Sequence, residues 1–465
     1  MKRLMSLLLS MVLLVTLVPQ IAIAEEERNN GAFTYKLKGN GTAVITGYDW
    51  ENNQGKDIYI PRMIDGYTVT EIGEKAFARL TYDNNEVITP TFQVTAGTLS
   101  IPDTVLYIGE KAFMNIYFEK DTITIPASVE YIGAGAFSNC GCKQFVVDQK
   151  NNVYATIDGV LYNKKKKELV AYPARFSVSG NAKDERFYIT IPEGIVGIGD
   201  YALFGLGDVT HAWGISYRLP STLEYIGDYA FAYNYGFSVD RTVSYNGYTT
   251  SKERGIYLPD SLATIGEGAF YNICSSNRRK KLIFADLSNT QITEIPALAF
   301  WGVSLSGDIF VFPNALISIG PKAFENARIT NQLNYAPNLP AALTHIGENA
   351  FANAYLGKGI IFPTDSCLIS IGDGAFQGSS FEQLHFDGEI SLPSKLESIG
   401  EKAFWDIDYL KWIVIPSSVE KIGKDMCSSY TTSLSVKSGS YAALWASENG
   451  YNTNQSGTED TSWLN

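Results

Sequence analysis

Cysteine and histidine are scarce, with five Cys and three His in 465 residues. So few soft and nitrogen ligands leave little for a zinc framework, and an odd thiol count excludes a fully paired disulfide scaffold. Cationic side chains are outnumbered, 37 Lys and Arg against 49 Asp and Glu, for a formal charge of −12. A chain of that sign does not suit general nucleic-acid binding, which rests on neutralising phosphates. No Gly-x-Ser-x-Gly elbow, His-Glu-x-x-His helix or EF-hand calcium loop occurs. Charged residues make up only 18% and apolar residues 45%, which excludes global disorder. What the chain does have is aromatics (13%), 41 Gly and 17 Pro, a balance that favours β structure with many turns.

Lys2 and Arg3 precede an apolar run from Leu4 to Val18, and Ala22-Ile23-Ala24 supplies a small-x-small cleavage site. This is the layout of a secretory signal over residues 1–24, with cleavage expected before Glu25. The apolar run is short for a membrane span of roughly 20 residues, so the mature chain is expected to be exported without a span.

The hexapeptide Ile-Gly-x-x-Ala-Phe begins at Ile72, Ile108, Ile132, Ile226, Ile265, Ile319, Ile346, Ile371 and Ile399. Degenerate copies begin at Ile198, Ile295 and Ile422, with Leu203 in place of Phe, Pro296 in place of Gly, and Met426-Cys427 at the end. Copies at the spacing of one solenoid coil, with longer gaps carrying insertions, point to a repeat array. Upstream of most copies lies an apolar-x-apolar-Pro segment such as Ile123-Thr124-Ile125-Pro126 or Ile413-Val414-Ile415-Pro416. Its period of two predicts a short strand, which Pro ends because it lacks an N–H for the ladder. Stacked coils place Phe77, Phe113, Phe137, Phe231, Phe270, Phe300, Phe324, Phe351, Phe376 and Phe404 on one internal ladder, expected to run as a single continuous spine. The Gly after Ile suggests a positive φ, but Pro296 at the same position fixes φ near −65°. Close coil-to-coil approach is therefore the better reason for it.

These residues resemble the BspA-like class of leucine-rich repeat, and the segments Ile125 to Phe137 and Leu410 to Gly423 fit it closely. The resemblance implies a β-rich solenoid, a right-handed superhelix with a parallel concave sheet and little regular helix. It also implies an exported or surface-held protein that adheres to or binds partners, without catalytic residues or cofactor. Residues 25–57 and 428–451 are expected to cap a solenoid over 58–427, and residues 452–465 to form a flexible tail. An insert near 143–175 is expected to be a β meander beside the solenoid, with a tight turn at Asp158-Gly159, and Asn246-Gly247 marks another hairpin or loop.

Recognition is expected on the outward residues of the strands before each Pro, where Tyr59, Tyr188, Arg218, Tyr257 and Trp412 are interface-type side chains. Lys164, Lys165, Lys166 and Lys167, with Arg278 and Arg279, stand out as basic clusters suited to an anionic surface. His211, His345 and His385 lie in different coils without ligand spacing, so no metal is expected. The expected partner is a protein or a glycan or cell-wall polymer. The alternatives are a carbohydrate-active enzyme with a carboxylate pair in a groove, or a structural spacer of the cell surface.

Overall fold

A computed structural model describes residues 26–175, 187–206, 215–234, 238–239, 241–245, 248–253, 255–273, 282–303, 305–329, 339–357, 359, 361–381 and 388–454. The expected export signal and all but the start of the expected tail lie outside these residues. The chain is a β-solenoid of about 13 turns with parallel sheets. Helix is confined, among the described residues, to Trp50–Asn53 and Tyr441–Glu448.

Each coil builds from local chemistry. A strand such as Thr122–Ile125 buries its two Ile and exposes Thr124. The Pro126 carbonyl then accepts the Val129 N–H at 3.3 Å, closing a corner, and the same bond recurs from Leu262 to Pro259 at 3.0 Å. A two-residue strand carrying the hexapeptide Ile follows, paired in parallel with its counterpart in the next coil, as Ile132 pairs with Ile108. In all twelve copies the residue before the Ala position has a positive φ, including Lys75 (54°), Leu298 (59°) and Asn349 (52°). This geometry costs a non-glycine residue roughly 1–2 kcal/mol. It turns Ala and Phe inward and aims two N–H groups at the next coil: Lys111 donates to Ala134 O at 2.9 Å and Phe113 to Ala136 O at 2.8 Å.

The Gly after Ile is absent from the positive-φ residues in every copy. A Cβ on Gly372 would lie 2.7 Å from both Glu348 N and Gly347 C, so the adjoining backbone occupies that space. Its N–H donates to the Ile carbonyl of the preceding coil, as Gly372 does to Ile346 at 2.8 Å. Pro296 has no such proton, and there the ladder breaks. One six-stranded sheet ends at Thr264–Ile265 and another begins at Glu294–Ile295.

Two expectations need correction. The meander is not laid beside the solenoid. Its strands Tyr154–Ile157, Val160–Asn163 and Glu168–Ala171 pair antiparallel, but the last pairs in parallel with Gly197–Ile198, Leu169 standing opposite Ile198. The insert is therefore itself a rung, with Leu169 doing the work of the hexapeptide Ile. The Phe spine is also not continuous. All ten Phe are buried at 1% exposure or less, but they stack as two columns. Phe77, Phe113 and Phe137 form the first, with centroids 4.8 and 5.3 Å apart. Phe231 to Phe404 form the second, at 5.2–5.5 Å. Between them the meander's Val160–Asn163 strand divides its side chains, Leu161 joining the amino-terminal core and Val160 and Tyr162 the other.

Aromatic lids close both ends. Tyr48 and Phe33 cover Phe77 at 5.3 and 6.4 Å, and the Trp50 indole N–H donates to Phe77 O at 2.9 Å. At the other end helix Tyr441–Glu448, capped by Ser440, buries Ala442, Trp445 and Ala446. There the Tyr451 hydroxyl donates to Cys427 O at 2.7 Å. Residues Thr453–Asn454, expected in a flexible tail, instead add a parallel strand to Ser433–Val436, because that edge still offers unpaired backbone groups.

The insertion after Phe77 reaches far along the stack. Residues 78–93 fold back on themselves, Asp83 N donating to Val87 O and Thr89 N to Thr81 O, both at 2.9 Å. Val87 and Ile88 are buried with Met114, Phe204, Tyr233, Tyr271 and Leu298. The Asp83 carboxylate accepts the Tyr233 and Tyr271 hydroxyls at 2.5 and 2.6 Å. Burial works to raise the Asp83 pKa, but those hydroxyls and the Asn85 and Val87 amides outweigh it and hold the carboxyl below its ordinary value. The stabilisation is complete above the unfolded value, about pH 3.9, and fades as pH falls through the depressed folded value, so this contact is lost in acid. Asp83→Asn is expected to cost about 1.5–3 kcal/mol locally. Amide exchange at residues 82–88 checks this, with faster exchange there and unchanged exchange near Phe376.

Candidate functional site

The residues expected to bind lie on strands that do not form one sheet. From Pro to hexapeptide Ile the chain takes six steps in most coils, as from Pro126 to Ile132 and Pro416 to Ile422, while insertions fall between Phe and the next strand. The strands before Pro consequently assemble into sheets of two to four strands, whereas the hexapeptide strands form sheets of six and seven. Tyr59 pairs with Ser100 and is exposed, its hydroxyl donating to Asp57 at 3.0 Å. That bond raises the Tyr59 pKa, and Asp57 is held low first by the Thr98 N–H and then by Tyr59. Tyr188 stands opposite Ser216 and Arg218 opposite Thr190, so these two share a pair of adjacent strands. Tyr257 stands opposite Asp286 in a third sheet, and half-buried Trp412 lies between Glu389 and Ser433 in a fourth. Only Tyr188 and Arg218 are brought together.

Lys164 to Lys167 are exposed on the turn between the last two meander strands. The Asn163 side chain accepts the Lys165 and Lys166 N–H groups at 3.0 and 3.1 Å, and the Lys164 ammonium donates to Asn151 O at 2.5 Å. Lys166 lies 3.9 Å from Glu168. The turn therefore holds its backbone rigidly while presenting cationic side chains. Arg278, Arg279, His211 and His385 lie outside the described residues. His345 is exposed, its Nδ1 2.7 Å from Thr344 Oγ1.

A row of carboxylates follows the hexapeptide Gly, at Glu110, Asp200, Asp228, Glu267, Asp373 and Glu401 among others. Asp200 accepts the Asp228 N–H and Asp228 the Glu267 N–H, both at 2.8 Å, and Asp373 accepts the Glu401 N–H at 2.7 Å. Burial, followed by the neighbouring Asp200 and Glu267 charges, raises the Asp228 pKa against the bond from Glu267. These carboxylates tie coils together. Among the described residues no group of three or more His, Cys, Asp and Glu could hold a metal ion, and no helix is long and apolar enough to cross a membrane. Cys140, Cys142 and Cys427 are buried, and burial pushes the Cys427 thiol up to about 12.

Reading strands before Pro overlooked a second outward row, the residue preceding each hexapeptide Ile. Tyr107 and Tyr131 occupy it on neighbouring strands, exposed, with ring centroids 6.4 Å apart. Aligning the twelve copies and reading down that column is the signal that finds them.

The stacked parallel rungs, inward Ile, Ala and Phe and recurring left-handed turns define a leucine-rich-repeat solenoid. The family model for the BspA type leucine rich repeat region matches residues 91–174, 244–336 and 336–438, more than half of the chain, and the chain belongs to that family. Among solved structures, a leucine-rich repeat protein from Eubacterium ventriosum is 19% identical, covering 75% of this chain and 93% of its own, with a TM-score of 0.42. A leucine rich cell surface protein from Faecalibacterium prausnitzii is 19% identical, covering 94% and 97%, with a TM-score of 0.40. A leucine-rich repeat protein from Bacteroides ovatus is 20% identical over 84% and 95%, with a TM-score of 0.32. No curated protein matches the chain.

Proposed function

We propose that this chain is a non-enzymatic, exported binding protein held at or released from the cell surface, which recognises a protein or a surface polymer through its outward strand residues or its projecting turns. One observation carries the reading. Inward positions are nearly invariant from coil to coil, whereas the outward residue varies freely, as in Tyr59, Thr124, Arg218 and Val414. A rigid scaffold with a variable, preformed surface suits extended partners better than small molecules. Membership of a family of surface repeat proteins and the export-signal layout of residues 1–24 support it.

The test is a binding screen of the chain from Glu25 onward against immobilised matrix proteins and cell-wall glycans, with Tyr59→Ala, Trp412→Ala and a variant carrying Ala at Lys164 to Lys167. Capture of at least one partner is expected, with one variant weakened at least about tenfold, the cost of an anchor truncation. Capture of none, or hydrolysis of a glycan instead, overturns the proposal.

A further inference from the structure

The twelve copies act as internal controls for one another. On the row preceding the hexapeptide Ile, the carboxyl-terminal sheet carries Glu294, Ser318, His345, Ser370, Ser398 and Lys421, with no tyrosine among them. Solvent demands no aromatic ring there. The amino-terminal sheet carries Tyr107 and Tyr131 at consecutive rungs, in register with Glu71. Their rings are 43% and 53% exposed and tilted at 44° to each other, so neither is needed to fill a core. The platform is fixed from beneath. The Tyr154 hydroxyl accepts the Ile132 N–H at 2.7 Å, satisfying the edge of the sheet that ends at Tyr131.

We infer that Tyr107 and Tyr131 form a stacking platform for a neutral glycan chain, a deepening that rests on the binding role proposed above. Three features select this occupant. The two ring centroids lie 6.4 Å apart, on the scale of one sugar residue along a chain. The axial C–H bonds of a sugar carry the partial positive charge that an aromatic face attracts. The Lys38 ammonium is paired with Glu71, the residue in register with Tyr107. Exposed Glu130, next to Tyr131, has no ion-pair partner among the described residues, so at the platform itself a carboxylate is left to accept sugar hydroxyls and to repel an anionic chain. The strip is one ring wide, far short of the roughly 800 Å² per partner that a stable protein interface needs.

Affinity electrophoresis of the full chain tests this, in native gels containing laminarin, galactomannan or arabinoxylan, with polygalacturonate as the anionic probe. At least one neutral polysaccharide is expected to retard the chain. Tyr107→Ser and Tyr131→Ser are each expected to weaken that retardation at least fivefold, Tyr107→Phe to keep most of it, and Ser370→Ala to leave it unchanged. Unaltered melting of the two Ser variants shows that the fold survives. Retardation by no neutral polysaccharide, retardation by polygalacturonate alone, or full retardation of the Tyr107→Ser/Tyr131→Ser double variant overturns the platform. Loss in Tyr107→Phe as complete as in Tyr107→Ser overturns the stacking. If the double variant still captures a partner in the screen above while the gels show nothing, the binding role stands and the platform alone fails.

Discussion

Gly372→Ala is expected to destabilise the carboxyl-terminal stack by about 3 kcal/mol or more, although it adds a single methyl group. The new Cβ would meet Glu348 N and Gly347 C at 2.7 Å and Gly347 O at 3.0 Å. These are backbone atoms of the preceding coil, held by the Gly372 to Ile346 and Asn349 to Asp373 bonds at 2.8 Å. No rotamer change relieves such a clash. Either the coils separate, breaking a repeated ladder, or the turn distorts. The matched control is Gly39→Ala, where a Cβ has nothing within 4 Å and the change should stay within about 0.5 kcal/mol. Denaturant unfolding of both variants checks the contrast, and equal midpoints would refute the packing role of the hexapeptide Gly.

Phe351→Ala carries the second large effect. Its ring stacks on Phe324 and Phe376 at 5.2 Å on both sides, with interplanar angles of 3° and 1°. Truncation removes apolar area from three coils and leaves a cavity that flanking rungs, fixed by ladder bonds, cannot fill. The expected cost is about 3–5 kcal/mol. Phe351→Leu should cost less, since the chain itself places Leu203 at this position and buries it completely. Unfolding free energies of the two variants test the ranking.

The coil was legible because it is local. Corner, strand, left-handed turn and inward Phe occur within a few residues of one another and recur twelve times. What depended on distant partners was not. Nothing in residues 78–93 announces that Asp83 meets hydroxyls 150 and 188 residues later. The meander's alternation fits a strand beside the stack as well as one within it, and only the pairing of Leu169 with Ile198 separates the two. The break between the Phe columns follows from that same insertion together with Leu203, which stands in place of Phe in the next coil. The left-handed turn position was hidden because Lys, Tyr and Leu occupy it seven times and Gly only three, its geometry being imposed by bonds to the next coil. For the surface, counting back from Pro found outward positions but not neighbours, since insertions divide those strands among separate sheets. The unbroken rows lie along the hexapeptide strands, where Tyr107 and Tyr131 sit.

The inward rings couple only within a column, and a pair of double-mutant cycles measures this. Phe324→Leu with Phe351→Leu should give a coupling energy of about 0.5–1.5 kcal/mol, the value of an aromatic pair beyond its buried area. Phe137→Leu with Phe231→Leu, which lie on opposite sides of the meander and the Leu203 coil, should be additive within about 0.3–0.5 kcal/mol. Additivity in the first cycle, or equal coupling in both, would contradict a stacked core divided by its insert.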